Sequence, residues 1–211
     1  MDKANSVIYV VDDDASVLEA LSSLVRSIGL QVRCFSSAHD FFDELDIRTH
    51  GCLILDVRMP EMSGLDVQKK LVDIGDTIPI IFISGHGDIP MAVKAIKAGA
   101  VDFLTKPFRE EDLLSAIRTA LEVDAIKTIT SGQEDEIKAR YDSLSLREKQ
   151  VMFFVVQGYL NKNTAVELDV SEATIKVHRH NIMKKMQAGS VQELVRMSEK
   201  ARLMDTDTLH S

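Results

Sequence analysis

The chain has no tryptophan, two cysteines and four prolines, and aromatic residues fill only 5% of its 211 positions. Cys34 and Cys52 stand too far apart for a metal knuckle or a disulfide framework. Both fall in predicted strands, where a cysteine is expected as a small buried hydrophobe. No apolar stretch approaches the roughly 18 residues needed to cross a bilayer. The opening Met1-Asp2-Lys3-Ala4-Asn5-Ser6 leads into a short apolar run and three aspartates, which is not a signal-peptide pattern. A cytoplasmic protein with no membrane partner is the expectation. An overall basic excess is also missing: the formal net charge is -8, although binding to nucleic-acid phosphates is driven by basic groups.

The charge is unevenly placed. Through Thr130 there are 21 acidic and 13 basic residues, whereas Leu144 to Lys200 holds 6 acidic and 9 basic. An acidic part is thus joined to a mildly basic one. With 45% hydrophobic and 27% charged residues the chain has the balance of a globular protein that buries a core.

The first part alternates short β-branched runs with amphipathic segments. Strands are expected over Val7 to Val11, Gln31 to Phe35, Cys52 to Leu55, Ile78 to Ile83 and Val101 to Leu104. Helices are expected over Ala15 to Ile28, Ala38 to Leu45, Gly64 to Val72, Ile89 to Ala98 and Glu110 to Val123. Five such units predict an α/β fold with a five-stranded, doubly wound parallel sheet. The domain covers residues 5–125. Residues 126–142, with a Ser-Gly break and little periodicity, read as a linker that is partly helical as an extension of the preceding helix. A small all-α domain covers 143–200, with helices over Arg147 to Gln157, Lys162 to Leu168, Glu172 to Met186 and Ser190 to Met197. A polar tail covers 201–211.

In such sheets ligand sites form beyond the carboxyl ends of the strands. Asp12, Asp13 and Asp14 follow the first strand, Asp56 the third, Ser84 the fourth and Lys106 the fifth. They converge if the third strand lies between the first and the fourth. Clustered carboxylates disfavour one another's ionised forms unless a cation offsets them. An all-oxygen site suits Mg²⁺, which shares ligands with phosphate oxygens. Asp56 is the best placed nucleophile, with Ser84 as a hydroxyl donor and Lys106 as a point charge.

VVDDD (Val10 to Asp14), LILDVRMPEMSG (Leu53 to Gly64), ISGHGD (Ile83 to Asp88) and DFLTKPF (Asp102 to Phe108) resemble the receiver domain of bacterial two-component response regulators. The resemblance implies Asp56 as phosphoacceptor, with Asp12, Asp13, Asp56 and the backbone carbonyl of Arg58 as the Mg²⁺ site. It implies Ser84 and Lys106 as holders of the phosphoryl group, Ser84 and Phe103 as the switch pair, and a cis Lys106-Pro107 bond. From its strand position alone, Phe103 reads equally well as a static core residue. Arg58 and His86 border the pocket.

In the helical part Ile175, Ile182 and Met186 define a buried stripe, leaving Lys176, His178, Arg179, His180, Lys184 and Lys185 on the remaining surface. The preceding short helix and the turn Asp169-Val170-Ser171 give helix-turn-helix spacing, in which the second helix enters a major groove. LSLREKQVM (Leu144 to Met152), LDVSEATIKVHRHNIMKKM (Leu168 to Met186) and SVQELVRM (Ser190 to Met197) are similar to the helix-turn-helix output domain of the LuxR/FixJ class. That likeness implies DNA contacts from Lys176, Val177 and His180; Arg179 and Lys184 are added from their charge as phosphate contacts. Val177 has an alternative as an internal packing residue. Glu148 and His178 are expected to be structural. Thr164 stands where the class has an apolar residue, so its hydroxyl needs a backbone partner if buried.

The combined expectation is a phosphorylation-activated transcriptional regulator. Its partners are a sensor histidine kinase, double-stranded DNA, RNA polymerase and a second copy of itself. Two rivals are an aspartyl-phosphate hydrolase and a protein-interaction module without DNA binding. The hydrolase needs an acid two residues after the nucleophile, where this chain has Arg58, so at most slow self-dephosphorylation is expected.

Overall fold

Val7–Val11 reads VIYVV without polar alternation, and a strand of that kind has to be covered on both faces. In the computed structural model, which describes residues 6–45, 50–85 and 89–203, it is the first of five parallel strands. They are β1 (Val7–Val11), β2 (Gln31–Phe35), β3 (Gly51–Asp56), β4 (Ile80–Ser84) and β5 (Asp102–Thr105), in the order β2-β1-β3-β4-β5. Every residue of β3 and β4 is buried. The pleat sends Tyr9, Val11, Leu53, Leu55 and Phe82 to one face, where they pack with Phe41, Val67, Leu71 and Ala95. These come from α2 (Ala38–Glu44), α3 (Gly64–Asp73) and α4 (Ile89–Lys97). Ile8, Val10, Ile54, Ile81 and Ile83 point the other way, onto Leu21 and Val25 of α1 (Ala15–Ser27) and Leu113, Ala116, Ile117 and Ala120 of α5 (Glu110–Asp142). This is the doubly wound α/β sheet expected from the strand-helix alternation.

Three details differ from expectation. Cys52 is buried, and burial pushes its thiol well above its ordinary value, but Cys34 is exposed because β2 is an edge strand. β4 starts at Ile80 instead of Ile78, since the Asp76 side chain accepts from the Ile78 amide at 2.8 Å and Pro79 intervenes. The segment 126–142 is helical throughout, as the end of α5. Gly132 in its interior costs about 1 kcal/mol relative to alanine. Burial of Ile137 and the Glu136–Arg140 pair at 2.6 Å, one helical turn apart, offset that cost.

The chain divides into two compact units, with the boundary between Thr128 and Ile129 inside α5. In the second unit α6 (Leu146–Val156), α7 (Asn161–Glu167), α8 (Glu172–Met186) and α9 (Val191–Lys200) enclose Val151, Met152, Val155, Ile175, Ile182, Met186 and Leu194. Serines start three of these helices. Ser145 and Glu148 form a reciprocal capping box on α6, Ser171 caps α8 and Ser190 caps α9; each cap is worth about 1 kcal/mol. Among the described residues no helix is long and apolar enough to cross a membrane.

Candidate functional site

The strand order sets β3 between β1 and β4, so the residues following those strands meet at one end of the sheet. The Lys106 amide donates to the Ser84 carbonyl at 2.7 Å, which carries the chain back over the strand ends. The Lys106 ammonium then donates to Asp12 Oδ2 at 2.6 Å and to Asp56 Oδ1 at 2.7 Å. The second oxygen of each carboxylate is held by main chain: Asp12 Oδ1 accepts from the Asp14 amide at 2.9 Å, and Asp56 Oδ2 from the Arg58 amide at 2.6 Å. Asp12, Asp56 and Ser84 are all buried. The Lys106-Pro107 bond is cis. Gly64, the first residue of α3, packs so tightly behind the site that a Cβ there would lie 2.4 Å from the Asp56 carbonyl oxygen.

Not every acid of the cluster joins in. Asp14 turns away to cap α1, accepting from the Ser16 amide at 2.8 Å and the Ser16 hydroxyl at 2.6 Å. Asp13 is exposed, and among the described residues no three acids, histidines or cysteines are grouped closely enough to hold a metal ion. The ammonium of Lys106 bridges the two buried carboxylates. Phe103 is partly buried against the first core face, its ring 6.3 Å from that of Phe82. His86 lies outside the described residues.

Electrostatics in the pocket pull both ways, with the burial of Asp12 opposing the fold and the pairing of Lys106 favouring it. Burial pushes the Asp12 carboxyl above its ordinary value near 3.8, against the lowering effect of Lys106 and the Asp14 amide. Burial alone would lower the Lys106 ammonium, but its bonds to Asp12 and Asp56 outweigh that and hold it above its usual value. A carboxyl raised in the folded state binds its proton more tightly there than in the unfolded chain, so stability falls as pH rises through the raised value. Asp12→Asn is therefore expected to stabilise the protein by about 1 kcal/mol at neutral pH, seen as a higher urea midpoint. The gain should vanish below the ordinary carboxyl range. A lower midpoint at neutral pH would mean that the Lys106 pairing exceeds the burial cost.

The second unit presents α8 beyond a turn in which Asp169 takes a left-handed conformation, φ 50°. The buried stripe is Ile175, Ile182 and Met186, as the spacing predicts. Lys176, Val177, His180 and Lys184 are exposed and Arg179 is partly so; Val177, 60% exposed, does not pack internally. Lys176 pairs with Glu172 one turn back at 3.1 Å. Lys185 stays exposed but is paired: its ammonium lies 2.7 Å from Glu148 Oε2. Burial works to raise Glu148, but Lys185 and the Ser145 cap together hold it below its usual value. A depressed acid stabilises the fold above its unfolded pKa, and this is lost as pH falls through the folded value. Lys185→Met strands that carboxylate. We expect a loss of about 2 kcal/mol at neutral pH in thermal melts, below the figure for a fully buried pair because Lys185 is partly exposed; the loss should shrink in acid. Thr164 is buried and its hydroxyl donates to the Leu160 carbonyl at 3.2 Å, the backbone partner it required. His178 is half-buried, with Nδ1 buried and without a hydrogen-bond partner among the described residues.

Residues 8–118 match the response regulator receiver domain, and residues 142–198 match the bacterial regulatory proteins of the luxR family. The response regulator protein TmoT of Ectopseudomonas mendocina is 68% identical over 202 residues, covering 96% of this chain and 92% of its own. Among solved structures, the response regulator StyR is 47% identical with a TM-score of 0.79, over 93% of this chain and 100% of that one. Full-length FixJ from B. japonicum is 42% identical with a TM-score of 0.57, over 95% and 98% of the two chains. Receiver domains generally bind Mg²⁺ at the site of phosphorylation; the carboxylates of Asp12 and Asp56 are oxygen donors of the kind that ion takes, and here the Lys106 ammonium bridges them. The chain belongs to the two-component response regulators that join a receiver domain to a LuxR-type helix-turn-helix DNA-binding domain.

Proposed function

We propose that this regulator is switched by transfer of a phosphoryl group from a sensor histidine kinase to Asp56, and that the phosphorylated form dimerises and activates transcription. The observation that carries the reading is the Lys106 ammonium, bonded at once to Asp12 and Asp56. It places a positive charge where the phosphoryl oxygens of a modified Asp56 would gather. An Asp56 oxygen attacks phosphorus, the bond from phosphorus to the donor imidazole nitrogen breaks, and the imidazole leaves with the electron pair. Asp12, Asp13, Asp56 and the Arg58 carbonyl would hold Mg²⁺, which when bound offsets the negative charge of the phosphoryl oxygens. Ser84 and Lys106 hold the group once it is attached. Ser84 drawn toward it opens space for Phe103 to turn inward, biasing two packings of the α4 and β5 surface.

That surface supports self-association: Ile89, Val93 and Ile96 form an exposed apolar stripe along α4 at helical spacing. Two output domains, spanning 143–200 beyond a 126–142 connector, would then address paired half-sites. Lys176, Val177 and His180 face base edges, with Val177 suited to a thymine methyl, while Arg179 and Lys184 meet phosphates. The protein works in the cytoplasm with RNA polymerase. The family consists of transcriptional regulators and not classical enzymes. With Arg58 two residues after Asp56, turnover is limited to slow self-dephosphorylation.

Light scattering on the full chain, with and without acyl phosphate and Mg²⁺, together with selection from random duplex DNA, tests this reading. The expected result is a doubled mass and an enriched pool recovered only from the phosphorylated protein. A chain that stays monomeric yet gains DNA affinity rules out the dimer route, and an identical pool in both states rules out the switch. Affinity for the selected duplex should fall steeply as salt rises, because phosphate contacts release counterions.

A further inference from the structure

Gln68 interrupts the apolar side of α3 and is 4% exposed. A buried amide of this kind has to be satisfied. Its Nε2 donates to the Ala95 carbonyl at 3.3 Å and to the Ala98 carbonyl at 3.2 Å. Two carbonyl acceptors can be faced only by the NH₂ end of the amide, so chemistry fixes its orientation. Ala95 lies in the last turn of α4 and Ala98 directly follows its end, where helical main-chain acceptors run out of intrahelical partners. The turn is further closed by Gly99 N to Ile96 O at 3.0 Å and Ala100 N to Ala95 O at 3.1 Å.

The rest of α4 is held less, with Met91 packed partly buried against the first core face. Ala95 is its buried residue, sitting in the same final turn, while the amino-terminal part carries the exposed Ile89 and Val93. The other side of the link is rigid. α3 starts at Gly64, whose amide donates to the Val57 carbonyl at 3.0 Å, one residue past Asp56. Gln68 follows Gly64 by one turn on that helix.

We infer that α4 is a lever hinged at its carboxyl end on Gln68, with α3 and the Asp56 strand end as the fixed frame. Gln68 is a positioning residue: it touches no reacting atom, but it confines repacking to the amino-terminal half of α4 and so converts a local pull at Ser84 into movement of the Ile89 and Val93 end of the apolar stripe, with Ile96 held in the pinned turn. This rests on the proposed switching of Asp56. Without the pin, α4 would loosen as a whole, and the difference between its two packings would shrink.

Hydrogen exchange of the full chain tests the hinge in two arms. In the resting protein, Gln68→Leu, which keeps volume but removes both donors, is expected to speed exchange at Ala98, Gly99 and Ala100 about tenfold, with Leu21 and Val25 of α1 unchanged. Gln68→Met serves the same purpose if the leucine variant folds poorly. With acyl phosphate and Mg²⁺, wild-type exchange should change severalfold over 89–94 and stay nearly constant over 98–100. Gln68→Leu should take up the phosphoryl group within twofold of the wild-type rate yet lose most of the phosphorylation-dependent gain in DNA affinity. Equal changes at both ends of α4, or a variant with unaltered exchange in its last turn, would overturn the hinge. Absence of phosphoryl uptake by the wild type would instead overturn the reading of Asp56, and the resting-state arm would still decide the hinge.

Discussion

Asp56→Asn is expected to abolish the gain in DNA affinity that acyl phosphate and Mg²⁺ produce, leaving the two titration curves superimposed. A carboxamide oxygen carries no full negative charge and is a poor nucleophile, so the first bond of the transfer cannot form. The fold should tolerate the change. Asparagine keeps the size of the side chain and an oxygen for the Arg58 amide, and Lys106 retains Asp12 as a partner. Removing one of two neighbouring buried carboxylates also lowers repulsion, so stability should stay within about 1 kcal/mol of wild type. Mobility-shift titrations at fixed salt check this, with urea melts as the control for folding. A variant that still responds to acyl phosphate would place the switch at another residue.

Gly51→Ala should have the largest effect on stability. Gly51 pairs with Val7 in the β1–β3 ladder and has φ 148°, a conformation that side-chain-bearing residues rarely adopt. An added Cβ would lie 1.8 Å from the Val7 carbonyl oxygen and 2.8 Å from its carbonyl carbon. Both atoms are main chain of a strand buried next to the sheet centre, so no side-chain rotation relieves the clash. The expected cost exceeds about 4 kcal/mol, a large share of the roughly 5–15 kcal/mol that keeps a domain folded. Circular dichroism in urea should show the α/β unit losing its cooperative transition, while amides of α6 to α9 keep their protection from exchange. A melting curve like that of the wild type would show that β1 shifts at little cost.

The strands and most helices were legible because each is encoded locally. Runs such as VIYVV and LILD are too apolar and β-branched for anything but a strand covered on two faces, and Ile175, Ile182 and Met186 fix the inner side of α8 by spacing alone. The meeting of Asp12, Asp56 and Lys106 follows from the rule that sites form at strand ends, once the strand order is known. What escaped the sequence depends on partners distant in the chain. Lys185 looks like one more basic residue until Glu148, on another helix, takes its ammonium. Asp14 looks like a third pocket acid, but the adjacent helix start claims it as a cap. Cys34 reads as buried until β2 proves to be an edge strand. Ser131-Gly132 signals a break that helix-forming neighbours and the burial of Ile137 overrule. Gln68 carries no local signal beyond a polar residue on an apolar side, because its acceptors lie about thirty residues away.

Mass spectrometry of the intact chain and its peptides after incubation with acyl phosphate probes the pocket itself. The account predicts one added phosphoryl group, mapped to the peptide containing Asp56, appearing with Mg²⁺ and failing to form when the cation is chelated before the acyl phosphate is added. Uptake that ignores Mg²⁺, or a label on any other residue, would contradict it.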